Sequence, residues 1–172
     1  MTGPADTSRL DGFVGLSVLL TGFDAVQLLG TGMAAAYLAV LDAVLPEDIV
    51  GDLMSAYRQL PRGPERERAA EAEILGDPRL GPVARNLIVL WYCGAWTQLP
   101  AAWRAAFGAS PLDTSRVVSA AAYQAGLQWL AAGAHAAGAN PQGYGAWAIG
   151  PKSTKAIGPK SAGSSGLERG GA

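Results

Sequence analysis

Apolar residues recur at steps of three and four along most of the chain, which is the spacing of one helix face. The run LDGFVGLSVLL ends at Thr21-Gly22, and a glycine after an apolar run favours a helix end. Asp24 can cap a second helix. The residues that follow at helical spacing are Val26, Leu29, Met33, Tyr37, Val40 and Val44. They predict one continuous amphipathic helix.

A third helix is predicted from Pro46, because proline and the acidic Glu47 and Asp48 favour a first turn. Its apolar residues are Ile49, Leu53, Tyr57 and Leu60. The next stretch, PRGPERERAAEAEIL, alternates in charge and indicates a solvated helix or a mobile connection.

The middle run, from Val83 to Trp96, has no polar face, so we expect it to be buried by its own fold or by another chain. LPAAWRAAF predicts a short helix, and GASPLDTS predicts a loop that ends in a capping residue, Thr114 or Ser115. A last helix would carry Tyr123, Leu127, Leu130 and Ala134 on one stripe.

No charged residue occurs between Val117 and Pro151. This stretch is long enough to cross a bilayer, which takes about 20 apolar residues in a helix. The many alanines and glycines, His135 and the Asn140-Pro141 break instead favour a core helix or a helix in contact with another chain.

These patterns predict an all-α fold, a single-domain helical bundle with irregular loops. Residues 1–9 would form a flexible N-terminus, residues 10–149 the helical domain, and residues 150–172 a disordered tail rich in Gly, Ser, Lys and Pro. AIGPKS occurs twice near the start of this tail, beginning at Ala148 and at Ala156, as a tandem duplication or an artificial extension.

Composition narrows the function classes. The chain has thirteen basic and fourteen acidic residues, and its Lys and Arg form no dense stripe. Both observations argue against nucleic-acid binding. One Cys and one His cannot form an internal disulfide or a Cys- or His-pair zinc site. Charged residues make up 16% of the chain, against about 25% in typical soluble domains, which indicates a partner surface.

No residue is nominated as catalytic, cofactor-binding or metal-binding. Cys93 lies in an uncharged helix, which favours an inert, buried thiol. A dyad with His135 and a bridge to a partner chain are the alternatives. His135 itself fits a helix end or an interface.

The aromatic residues are candidates for the core, for a cofactor-stacking wall or for a partner interface, where aromatics are enriched. Together with His135, the partner-interface candidates are Trp91, Tyr92, Trp96, Trp129, Tyr144 and Trp147.

Four blocks carry a resemblance: GFVGLSVLLTG, ILGDPRLGPVARNLIVLWYCGAW, SAAAYQAGLQWLAAGAHAAGA and PQGYGAW. Their order and spacing, over about residues 12 to 147, resemble the small (gamma) subunit of bacterial membrane-bound, FAD-dependent sugar and polyol dehydrogenases of the sorbitol, glucose and fructose type. LxxxARxxxxLWYxGAW, followed by AYxxGLxW and GxGxW, is the specific part.

The resemblance implies that the chain is not an enzyme and holds no cofactor. Catalysis would belong to a large FAD-dependent flavoprotein of the glucose-methanol-choline type, and a haem-carrying cytochrome subunit would pass electrons onward, with membrane contact only through the complex. The small subunit would support maturation of the flavoprotein and its twin-arginine export to the periplasm. No twin-Arg leader precedes Gly12. Which sugar is oxidised would be decided in the other chain.

A different class stays open, in which the chain is a stand-alone helical protein that binds a small apolar ligand or a membrane surface.

Overall fold

The computed structural model describes residues 4–136, and their side chains from residue 8 on. This part is an all-α single domain. Its helices are α1 (Pro4–Thr21), α2 (Ala25–Gly30), α3 (Ala34–Val44), α4 (Glu47–Gln59), α5 (Arg66–Ala70), α6 (Gly81–Cys93), α7 (Ala101–Phe107), α8 (Ala120–Gln124) and α9 (Leu127–Ala131). A π-helical segment, Glu71–Leu75, continues α5.

Two short strands interrupt the helical order. β1 (Ala95–Trp96) and β2 (Arg116–Val117) pair antiparallel, with Ala95 opposite Val117 and Trp96 opposite Arg116. Across residues 4–136, none of the helices is both long enough and apolar enough to cross a membrane.

The core forms where α1 packs against α3, α4 and α6. Leu87 and Leu90 of α6 are fully buried, as the sequence predicts. Ile88 and Val89 are only half-buried and the helix ends at Cys93, so the prediction of a run buried on all sides up to Trp96 holds for one face of α6.

Trp91 follows Leu90 and is flanked by two aromatic rings. Phe13 of α1 stacks on it at 6.1 Å between ring centroids, and Tyr37 of α3 meets it edge-on at 4.9 Å. These contacts join three helices around one indole ring.

The first helix begins earlier than the sequence predicts. It starts at Pro4, so residues from Pro4 onward belong to α1 rather than to a flexible N-terminus. Proline is well tolerated in a first helical turn, because its missing N–H would have no intrahelical partner there. The predicted end at Thr21 is confirmed.

The prediction of one continuous helix from Val26 to Val44 is wrong, because the chain turns between α2 and α3. Thr31 holds this turn: its hydroxyl donates to the Leu28 carbonyl and accepts from the Met33 N–H. Gly32 follows with φ of 70°, a left-handed conformation that other residues rarely adopt. These local bonds replace helical ones. Of the predicted stripe, Val26 and Leu29 are exposed and Val40 is half-buried.

Other local predictions for the first half are confirmed. Asp24 caps α2 in a capping box with Gln27, in which each side chain bonds the other's backbone N–H. In α4, Ile49 and Leu53 are buried, while Pro46 stands one position before the helix as its N-cap. LPAAWRAAF forms α7.

The charged segment after α4 is helical and mostly exposed, with Ala70 and Ile74 turned into the core. Leu75 is the last residue of the π-helical segment, and its carbonyl accepts a hydrogen bond from a side chain. The Arg85 guanidinium of α6 donates to that carbonyl at 2.8 Å.

The prediction of one long helix after residue 117 is also wrong. Neither Thr114 nor Ser115 is the cap: Ser119 caps α8 by accepting from the Ala122 N–H, and the Ser115 hydroxyl accepts from the Gln98 N–H. Gly126 then separates α8 from α9. The predicted stripe is broken as a result, since Leu127 is buried and Leu130 is exposed.

Candidate functional site

The motif residues gather where the C-terminal end of α6 meets α8 and α9. Gly94 ends α6 with φ of 65°, and a side chain there would collide with the Ala122 carbonyl. Likewise, a Cβ atom at Gly126 would lie 2.7 Å from the Tyr92 carbonyl oxygen, which is too close. Each glycine thus lets backbone pack directly on backbone. The blocks LWYCGAW and AYQAGLQW fit together through these two contacts.

Tyr92 connects this junction to the start of the chain. Its side chain is half-buried, and its hydroxyl donates to the Thr21 carbonyl at 3.0 Å. Phe23 meets the Tyr92 ring edge-on at 5.8 Å. The predicted interface residue Tyr92 therefore ties α6 to the turn between α1 and α2.

Trp91 and Trp96 are core residues, which corrects their prediction as partner-interface residues. Each is 1% exposed, so neither presents a surface to another chain. Trp91 fills the space between Phe13 and Tyr37. Trp96 donates its indole N–H to the Asp113 carboxylate at 2.8 Å.

Asp113 is a buried carboxylate that no pattern in the sequence singles out. Besides the Trp96 indole, its carboxylate accepts the Leu99 N–H at 3.2 Å. The Arg104 Nε atom lies 3.8 Å from the same carboxylate. Asp113 thus joins β1, α7 and the loop before β2. The sequence signal was weak, because an aspartate in a loop two positions after a proline usually indicates a turn.

The remaining interface candidates have different surroundings. Trp129 is half-buried, and its indole donates to the Tyr123 carbonyl at 2.8 Å. His135 is exposed and follows the end of α9, with Nδ1 3.4 Å from the Ala136 carbonyl. Tyr144 and Trp147 lie outside the described residues, as do the predicted disordered tail and the AIGPKS repeat.

Cys93 is a free, half-buried thiol at the last position of α6. The hydrogen bonds of the described residues include none between Cys93 and His135. Within the described part of the chain, burial and, secondarily, charge on Cys93 raise the pKa of Tyr37 to about 12. Neither the Tyr37 hydroxyl nor the Trp91 indole N–H has a hydrogen-bond partner within the described part of the chain. Residues 4–136 also contain no cluster of three His, Cys, Asp or Glu side chains that could hold a metal ion.

The block ILGDPRLGPVARN forms a second structural junction, at the N-terminal end of α6. Asp77 accepts the backbone N–H groups of Arg79 and Leu80 and so shapes the turn into α6. The Arg79 guanidinium pairs with Asp48 and Asp52 of α4. The Arg79 carbonyl accepts the Trp103 indole N–H at 2.8 Å.

The outer side of α2 is apolar and exposed. Val26 is 79% exposed and Leu29 is 53% exposed, while Leu28 on the inner side is fully buried. No charged residue lies between Asp24 and Asp42 in the sequence. We call the pair Val26 and Leu29 the α2 face.

A cleft of about 640 Å³ lies between α1 and α4. Gly12 and Gly51 line it from the two helices, together with the buried Val50 and Met54 of α4. Its charged residues are Arg9, Asp42, Glu47 and Arg58. We call this the α1–α4 cleft.

Comparison of the chain with protein families, with curated proteins and with solved structures finds no match.

Proposed function

We propose that this protein is the non-catalytic small subunit of a periplasmic FAD-dependent sugar or polyol dehydrogenase. In this proposal it binds and stabilises a large flavoprotein of the glucose-methanol-choline type, assists its maturation and accompanies its export. FAD belongs to the flavoprotein, and a cytochrome subunit carries the haem.

The exposed α2 face is the observation that carries the proposal. An isolated exposed valine or leucine is ordinary on a protein surface. Here two such side chains project side by side from a stretch of seventeen residues without charge, in a chain whose charged fraction is only 16%. Such a surface is typical of a site that another protein covers.

The structural roles of the motif residues also support the proposed function. Arg85, Tyr92, Trp96 and Trp129 each direct their polar atoms to a backbone carbonyl or to Asp113 inside the fold. The described parts of the blocks that carry the family resemblance therefore form a scaffold. This agrees with a subunit whose task is to hold a surface in place for a partner.

The alternative, a stand-alone carrier of an apolar ligand, has less support. The α1–α4 cleft has the volume of a small-molecule site, about 300 to 1,000 Å³. However, its walls carry two arginines and two acidic residues, which are costly to desolvate against an apolar ligand.

Co-expression tests the proposal. We expect the neighbouring reading frame to encode a large FAD-binding oxidoreductase, and this chain to co-purify with it and to raise the yield of FAD-loaded, dye-reducing enzyme. Leu29→Asp should weaken that complex about tenfold or more, because it places a charge in an apolar contact. Leu112→Asp is the matched control, since Leu112 is 54% exposed in a loop elsewhere. The proposal would be contradicted if the chain were stable and monomeric alone and did not bind the flavoprotein.

A further inference from the structure

We draw no further inference here: the strongest candidate, the α1–α4 cleft that Gly12 and Gly51 line, carries none, because nothing in the described part of the chain shows what occupies it.

Discussion

At the residue scale, the polar atoms of the core divide into bonded and unbonded groups. The Tyr92 hydroxyl donates to the Thr21 carbonyl, whereas the buried Tyr37 hydroxyl has no partner within the described part of the chain. A buried hydroxyl without a hydrogen bond costs free energy that its removal recovers, while removal of a bonded one loses the bond. The two tyrosines therefore offer a matched pair of tests.

Tyr37→Phe should leave the free energy of unfolding unchanged or raise it by about 1 kcal/mol, since an unsatisfied hydroxyl disappears. Tyr92→Phe is the control and should lower it by about 1 kcal/mol, the usual contribution of one hydrogen bond. Denaturant titration of both variants measures the difference. A loss of stability in Tyr37→Phe that equals the loss in Tyr92→Phe would show that the Tyr37 hydroxyl is bonded.

The raised pKa of Tyr37 predicts that the stability of the protein depends on pH in the alkaline range. Burial raises the pKa of Tyr37 to about 12, while an unfolded tyrosine titrates near its ordinary value of 10. The folded protein thus keeps a proton that the unfolded chain releases. The free energy of unfolding should therefore not depend on Tyr37 ionisation below pH 10, and it should fall as the pH rises from 10 towards 12. Tyr37→Phe should show a shallower alkaline loss of stability than the unmodified chain in parallel denaturant titrations.

In the proposed complex with a flavoprotein, Cys93 should be dispensable for activity. It is a half-buried thiol at a helix end, and none of the described hydrogen bonds joins it to His135. Replacement by Ala or Ser should leave the dye-reducing activity of the co-expressed complex within about threefold, which corresponds to less than 1 kcal/mol. A loss of several decades would mean that the thiol takes part in the chemistry or bridges to the partner chain.

At the element scale, one carboxylate holds together pieces that have little regular structure of their own. β1 and β2 are two residues long each, and α7 has seven residues, so their own hydrogen bonds contribute little. Asp113 bonds the Trp96 indole at the end of β1 and the Leu99 N–H just before α7. Asp113 is therefore one of the side chains that fix the position of this region.

Asp113→Ala should lower the free energy of unfolding by about 2 to 6 kcal/mol, because it leaves two buried donors without an acceptor at about 1 to 3 kcal/mol each. Asp113→Asn keeps one oxygen acceptor and should cost less. Denaturant titration followed by tryptophan fluorescence measures both effects. Equal losses for the two variants would show that the charge of Asp113, and not its acceptor oxygens, stabilises the region.

At the scale of the whole molecule, binding and folding should be separable by substitution. The sequence predicts Trp147 as a partner anchor, after the last helix, where few core positions remain. Trp147→Ala should cost about 2 kcal/mol or more of binding, in the range of interface hot spots, with little change in far-ultraviolet circular dichroism.

Leu90→Ala is the opposite control, because Leu90 is fully buried in α6. It should lower the free energy of unfolding by about 2 to 5 kcal/mol through the cavity it leaves. Co-purification with the flavoprotein distinguishes the two variants. A Trp147→Ala chain that binds normally would refute the anchor role, and joint loss of helix signal and binding would place Trp147 in the core.

The sequence by itself determined the all-α class, the cap at Asp24, the end of α1 at Thr21, the positions of α4 and α7, and the burial of Leu87 and Leu90. These features depend on local signals, such as a capping side chain, a glycine after an apolar run or apolar residues at helical spacing. Such signals act within a few residues, so they are visible in the sequence alone.

Tertiary structure decided the rest. Periodicity indicated one helix from Val26 to Val44, but it cannot show that Thr31 and Gly32 turn the chain and leave Val26 and Leu29 outside. Nor can it distinguish a tryptophan in the core from one at an interface, since both are large and apolar. Trp91 and Trp96 are buried because helices distant in sequence, and Asp113 seventeen positions after Trp96, close around them. The cleft with Gly12 and Gly51 likewise exists only once α1 and α4 pack together, because spacing in the sequence does not fix which faces of two helices meet.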